Sequence, residues 1–399
     1  MAGMQADLHH RGPDSGGSSI EAGFALAFRR LAILDPAAGA DQPMTDPTGR
    51  RTIVFNGEIY NYRRLRAELE ASGTQFRTNG DTEVILAAYA AWGQDCFARL
   101  EGMFAIVIID RDSNELIAAR DPFGIKPLYV ARRGHLTGFA SEMRPLARLF
   151  PVKVDRAALS ELLIFRFAAG RLSNLTDIES LPGGSVLVQS LTSGTERTHR
   201  FCDPLNSIEA DPSIDMETAI AQSREAVINS VHDHLASDVG YTVQLSGGVD
   251  SSLVSAIAQR ETGGALASYG VHIPGFAQDE APYRAQAVER IGLEHSEITL
   301  DGHAFADALP RAVKHMEGPV PHYGCVMLML LCDKISERSK VVLTGEGADE
   351  LFGGYKRYDI WRDLAQKGRL AKLVPSWMWP FLQRWREIQR YSGRDPAIF

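Results

Sequence analysis

The stretch from Tyr241 to Ala258, YTVQLSGGVDSSLVSAIA, constrains the chain most. Tyr241 to Leu245 is short, apolar and β-branched, which is the pattern of a buried strand. Leu253, Val254, Ile257 and Ala258 then recur at helical spacing. Between them lies SGGVDSS, from Ser246 to Ser252. Gly247 and Gly248 permit a tight turn with exposed backbone N–H groups. Ser246, Ser251 and Ser252 add hydroxyl donors, and the following helix points the positive end of its dipole at the loop. Together these features make an anion cradle at the carboxyl end of a strand, where open α/β sheets bind ligands. No Lys follows the second glycine, so this is not a Walker A loop. A lone Ser-Gly-Gly also fits an ordinary capped strand-to-helix turn; the full string SGGVDSS is more specific.

At 399 residues the chain has room for two or three domains. Its apolar fraction of 45% and charged fraction of 23% suit a globular protein. The net charge of −8 suggests no nucleic-acid surface. Cys96, Cys202, Cys325 and Cys332 show neither CxxC pairing nor zinc spacing, so they read as reduced, mostly buried thiols of a cytoplasmic protein. The start, MAGMQADLHHRGPD, has no apolar core of a signal peptide. The longest apolar run, Cys325 to Cys332, is too short to span a bilayer, so no membrane partner is expected.

The first half reads as α+β with antiparallel sheets. His10 to Gly17, HRGPDSGG, is a Gly/Pro turn by composition. Strands are expected at Gly23 to Phe28 and Thr52 to Phe55, and a hairpin of strands at Gly102 to Asp110 and Glu115 to Arg120. Helices are expected at Tyr62 to Ala71 and Glu83 to Trp92. Singly, the polar pieces have plain explanations. Asn56-Gly57 suits a hairpin turn. Asp81 suits a helix N-cap. Arg30 suits a solvated face.

Taken in order, HRGPDSGG, RRLAILD, FNGEIYN, NGDTEV, EGMFAIVIID and RDPFGIKPLY resemble the glutamine amidotransferase domain of the N-terminal-nucleophile class. The resemblance covers residues 1–200 and implies an antiparallel sheet sandwich that hydrolyses glutamine. By the same resemblance, Arg30 binds the substrate carboxylate, while Glu58 and Asp81 bind its ammonium. Asn56 and Gly57 form the oxyanion hole. The family's nucleophile is a Cys at the mature N-terminus, whose amine serves as its base. Here residue 2 is Ala and the first Cys is Cys96. The chain is therefore expected to begin late, without the leading strand and the Cys, and not to hydrolyse glutamine.

Leu191 to Ser213 reads as the connection between the domains. Beyond it, strands and helices alternate. Helices are expected at Asp215 to Ala236, Asp279 to Ile291 with Gly292 as its C-cap, Phe305 to Glu317 and Val326 to Ile335. Strands are expected at Leu266 to Ile273, His295 to Leu300 and Lys340 to Leu343. The implied fold for 215–399 is α/β, with a doubly wound parallel sheet. A second loop, TGEGADELFGGY from Thr344 to Tyr355, follows the last strand. Triphosphate cleavage needs a divalent cation held by carboxylates.

SGGVDSS is similar to the pyrophosphate loop of the N-type ATP pyrophosphatases. The two halves together resemble the glutamine-hydrolysing asparagine synthetases. That resemblance implies ATP and Mg²⁺ as cofactors, with the metal on Asp250 and Asp349. It implies an ATP site of Ser246, Gly247, Gly248, Asp250, Ser251, Ser252, Val271, Thr344 and Gly345. Glu346 matches the family's catalytic Glu. Aspartate would be adenylated and then amidated by glutamine-derived ammonia. The substrates would be glutamine, aspartate and ATP, with a homodimer as one assembly open to the chain. The family continues past the GGY motif with an Arg-x-Pro-Phe-Leu-Asp segment and a Lys, neither of which occurs from Lys356 to Phe399. An amide ligase for another carboxylate and a truncated, inactive copy are the alternatives.

Overall fold

A computed structural model of the chain describes residues 1–168, 170, 173–264, 266–276, 279–356, 358 and 359. A short helix α1 (Ala2–Asp7) leads into an antiparallel hairpin of β1 (Ser15–Glu21) and β2 (Phe24–Arg30). Strands β3 (Met44–Thr45), β4 (Arg51–Ile59), β5 (Gly102–Asp110) and β6 (Glu115–Arg120) follow, with helices α2 (Tyr62–Ala71) and α3 (Asp81–Trp92) between β4 and β5. Next come β7 (Tyr129–Arg133), β8 (Leu136–Ala140), α4 (Met143–Ala147), α5 (Arg156–Phe165) and β9 (Ile178–Ser180). Strands β10 (Ser185–Ser190) and β11 (Glu196–Arg200) close the first half. The main sheet is antiparallel, with six strands in the order β11-β10-β6-β5-β4-β3.

Side chains alternate across that sheet, and each face packs a different layer. Ile53 and Phe55 of β4, with Phe104, Ile106 and Ile108 of β5, pack with Leu65, Leu69, Ile85 and Leu86 of α2 and α3. The opposite face carries Ala105, Val107 and Ile109, packed with Leu26 of β2, Leu128 and Leu181. Helices thus cover one face and β structure the other, the sandwich the sequence predicts.

Two elements differ from the sequence reading, and backbone proximity explains both. HRGPDSGG is not all turn, because Ser15 to Glu21 is a strand. Its glycines serve packing: a Cβ on Gly17 would stand 2.2 Å from the Gln42 carbonyl oxygen. The strand expected to end at Phe55 runs on to Ile59, so Asn56-Gly57 is strand rather than turn. Gly57 pairs with Phe104, and a Cβ there would lie 2.0 Å from the Met103 carbonyl oxygen. Within the expected connection, Glu196–Arg200 pairs with β10.

The second half alternates as predicted. Helix α6 (Met216–His234) precedes β12 (Thr242–Gln244), α7 (Val249–Thr262), β13 (Ala267–His272), α8 (Ala281–Ile291), β14 (Glu294–Thr299), α9 (Gly302–Met316), α10 (Tyr323–Ser336) and β15 (Val342–Leu343). These four strands are parallel, in the order β14-β13-β12-β15. The order reverses beside β12, which sets a crevice at the carboxyl ends of β12 and β15. Gly292 closes α8 in the left-handed conformation, as read from the sequence.

Met1–Thr344 belongs to one compact unit, and the described residues from Gly345 belong to a second. The second contains α11 (Ala348–Phe352). Within the first unit, the Glu317 carboxylate accepts hydrogen bonds from the Met143 and Arg144 N–H groups at the start of α4, both at 2.6 Å. Among the described residues, no helix is long and apolar enough to cross a membrane.

Substituting Gly17→Ala forces β1 away from Gln42, whose side-chain amide holds Phe55. The expected cost is about 2 kcal/mol or more, read as a lower midpoint for the first transition in scanning calorimetry. An unchanged midpoint would contradict the close approach.

Candidate functional site

The continuity of β4 through Gly57 places Asn56 and Glu58 on the same face of the strand, two residues apart. Both side chains carry a buried polar atom without a partner, Asn56 Nδ2 and Glu58 Oε1. Buried polar groups are rarely left so, and an unpaired donor beside an unpaired acceptor suits a polar ligand. Asp81 stands next to them. It is the first residue of α3, whose N-cap is Gly80, so the helix-capping alternative does not hold. Its carboxylate accepts the Ile59 N–H at 3.0 Å.

The electrostatics follow from burial. Desolvation and then the Asp81 charge push Glu58 up to about 7, with Lys126 pulling the other way. Desolvation pushes Asp81 to about 6, against backbone N–H groups that favour its charged form. Two crowded acids near neutrality can exchange a proton or accept a cationic group.

Several residues that sequence reasoning did not single out support this pocket. Gln42 accepts the Phe55 N–H at 2.6 Å and donates to the Phe55 carbonyl at 3.2 Å. Glu83, 4% exposed, accepts from the Arg77 and Thr78 N–H groups and shapes the turn before Asp81. Asp121 is fully buried and accepts from the N–H groups of Phe104, Phe123, Ile125 and Lys126. It thereby fixes the turn that carries Lys126, whose ammonium is pushed down by burial and by Arg11. The Asp-Pro-Phe-Gly string signals an Asp-anchored turn; nothing local in the sequence marks Gln42.

Arg30 ends β2 in the neighbouring hairpin, not in the sheet that carries Asn56. It is 7% exposed. Its Nη1 donates to the Ala37 carbonyl at 3.0 Å and to Asp41 at 2.9 Å. Its Nη2 donates to the Leu34 and Asp35 carbonyls at 3.2 and 2.6 Å. Cys96 is fully buried, and desolvation raises its thiol far above the usual range, so it packs in the core as predicted. Cys202 and Cys325 are half-buried and Cys332 is exposed, so the expectation of mostly buried thiols is corrected.

The second site is the loop after β12. Gly248 caps α7, and Asp250 lies in its first turn. The Ser246 and Ser251 hydroxyls are 2.9 Å apart, and the Gly248 N–H donates to Ser246 Oγ at 3.1 Å. Gly247 has φ +106°, and a Cβ would meet the Glu280 carbonyl oxygen at 2.7 Å. Arg284, 2% exposed, fixes the loop from behind. It donates to the Ser246 carbonyl at 2.8 Å and to Glu297 at 2.5 Å. Nothing local in the sequence marks Arg284, because only the fold brings α8 to the loop after β12. Val271 lies in β13, packed against the Tyr269, Leu331 and Ile335 cluster. Thr344 closes the first unit, while Gly345, Glu346 and Asp349 belong to the second. Asp250 and Asp349 offer hard carboxylate oxygens, the donor type Mg²⁺ prefers. Among the described residues no cluster of three or more His, Cys, Asp or Glu could hold a metal unaided.

Residues 1–202 match the sequence profile of the glutamine amidotransferase domain, and residues 222–397 match that of asparagine synthase. The chain is 33% identical to asparagine synthetase (glutamine-hydrolyzing) 1 of Bacillus subtilis strain 168, over 89% of this chain and 55% of that protein. It is 34% identical to asparagine synthetase B (glutamine-hydrolyzing) of Escherichia coli K12, over 87% of this chain and 60% of that protein. It thus spans about half the length of the relatives it matches. The glutamine phosphoribosylpyrophosphate amidotransferase of B. subtilis, solved with ADP and GMP, aligns at 16% identity and a TM-score of 0.37, covering 74% of this chain and 61% of that one.

Glu58 binds its proton more tightly in the folded chain than in the unfolded one. The Glu58 contribution to stability is therefore full below about pH 4.5 and is lost as pH rises towards 7, and Asp81 acts in the same direction between about 3.8 and 6. Glu58→Gln keeps the shape and removes the charge. At pH 8 the variant should exceed the parent in stability by on the order of 2 kcal/mol more than it does at pH 4. Melting midpoints at the two pH values measure this, and parallel shifts at both would rule out the buried charge.

Proposed function

Because the chain belongs to the glutamine amidotransferase domain family, we propose that its first half binds free glutamine and its second half activates a carboxylate with ATP. The unpaired pair of Asn56 Nδ2 and Glu58 Oε1 beside Asp81 carries this reading. Glu58 and Asp81 take the substrate ammonium, whose charge draws both acids into their ionised forms. Asn56 Nδ2 and the Gly57 N–H face the amide oxygen as the oxyanion hole. Arg30 supplies the charge for the α-carboxylate; its Asp41 partner, 42% exposed, is the acceptor that gives way. Attack on the amide needs a thiolate, and Cys96 does not provide it, being buried with a thiol held protonated.

In the second half, the proposed reaction joins the aspartate side-chain carboxylate to the α-phosphate of ATP, with pyrophosphate leaving. Ammonia then displaces AMP to give asparagine. Ser246, Gly247, Gly248, Ser251 and Ser252 cradle the pyrophosphate, and Val271, Thr344 and Gly345 contact the nucleoside. Asp250 and Asp349 would hold Mg²⁺, which neutralises phosphate charge when bound. Glu346 takes a proton from the attacking ammonia. Aspartate is the proposed acceptor because the matched relatives are named asparagine synthetases. Free thiols at all four cysteines fit a reducing cytoplasm.

Glutamine binding should weaken by roughly tenfold between pH 8 and pH 5.5, as Glu58 and Asp81 protonate. Titration calorimetry on the 399-residue chain tests it, and an affinity independent of pH would remove these acids from the ammonium site. Asp250→Ala should abolish Mg²⁺-dependent ATP binding without lowering the melting midpoint. Unchanged ATP affinity in that variant would overturn the nucleotide assignment.

A further inference from the structure

Two of the carbonyl groups that hold Arg30, those of Leu34 and Asp35, lie on the turn from Leu31 to Asp35. Asp35 adopts φ +45°, a left-handed conformation that a non-glycine residue keeps only when its surroundings impose it. Part of those surroundings belongs to the second half of the chain. The Asp35 N–H donates to Asp238 Oδ2 at 2.7 Å, and the Asp238 N–H donates to the Ile33 carbonyl at 3.2 Å. The Lys340 ammonium donates to Asp14 Oδ2 at 2.6 Å, and the same oxygen accepts the Ala32 N–H at 2.8 Å. Two side chains of the second half therefore bracket the turn, at Ala32 and at Ile33 to Asp35. Further along, Asp35 Oδ2 accepts the Asn79 N–H at 2.7 Å, two residues before Asp81. The Tyr60 ring, next after β4, packs on His234 at 4.1 Å between centroids.

We propose that Asp238 is a positioning residue of the amino-acid pocket: from the second half, it holds the Ile33–Asp35 turn in the shape that fixes Arg30. Lys340 gives the same support at Ala32 through Asp14. The guanidinium depends on this because two of its four acceptors are the Leu34 and Asp35 carbonyls. If the turn relaxes, Asp35 can leave its left-handed conformation, the carbonyls rotate, and Arg30 loses its orientation. The inference rests on the reading that this pocket takes glutamine.

The test compares the 399-residue chain with its Asp238→Ala and Asp238→Asn variants. Glutamine affinity, Mg²⁺-ATP affinity and amide hydrogen exchange in residues 31–37 are measured on each. Asp238→Ala should weaken glutamine binding about fivefold and speed exchange at the Asp35 amide, with ATP binding unchanged. Asp238→Asn should keep both near the parent, because its amide oxygen still accepts the Asp35 N–H. Glutamine binding and exchange in Asp238→Ala equal to the parent's would overturn the proposal, as would an Asn variant as impaired as the Ala variant. If Asp238→Ala does not fold, Lys340→Met takes its place; it should weaken glutamine binding while sparing ATP, and an unchanged glutamine affinity there overturns the proposal. A parent chain that gives no glutamine heat would refute the pocket's assignment, while the exchange data still decide whether Asp238 holds the turn.

Discussion

The first half depends on the contact between two backbones at Gly57. Only a residue without a Cβ lets β4 pass the Met103 carbonyl and stay in register with β5. That register puts Ile53 and Phe55 under the helices and Asn56 and Glu58 on the other face. It also brings the Ile59 N–H to Asp81, which ties the strand to the start of α3. A side chain at position 57 would disrupt the core, the pocket and the helix anchor at once.

The second half has an analogous tie in Arg284. A fully buried guanidinium needs acceptors on every side. It finds them on the Ser246 carbonyl, Glu297 and Asp279, which link the loop after β12 to β14 and to the entry of α8. Asp279 in turn accepts the Ile273 N–H and bonds His272. The loop's shape is thus set by charges placed behind it, and its glycines follow that shape.

Much of this was legible in the sequence. The alternation of β5 and β6, the α2 pattern, the Gly292 stop and the SGGVDSS turn are local signals, and each element lies where its pattern put it. What stayed hidden depends on neighbours distant in sequence. Gly17 reads as a turn residue because composition does not reveal the Gln42 carbonyl against it. Asn56-Gly57 read as a hairpin turn for the same reason. Taken alone, Asp81 also suits a cap, although Gly80 takes that place and Asp81 is buried in the helix itself. Gln42 and Arg284 gave no sign, since their roles exist only where separate segments meet. The candidate site residues lie in motifs that can be read locally, but the residues that hold them give no such signal.

The brackets at Ala32 and Asp35 bear on how such chains can recombine. In sequence the halves look like interchangeable cassettes joined by a polar connection. In structure the connection is not the only seam, because Asp238 and Lys340 precede β12 and β15 and reach back to the turn that orients Arg30. A graft that exchanged one half for that of a distant relative would keep both folds and both sets of motif residues. It would still mismatch the acceptor at Asp35 unless the donor chain carried its own counterpart of Asp238. A working graft would therefore have to match two positions that lie 203 residues apart.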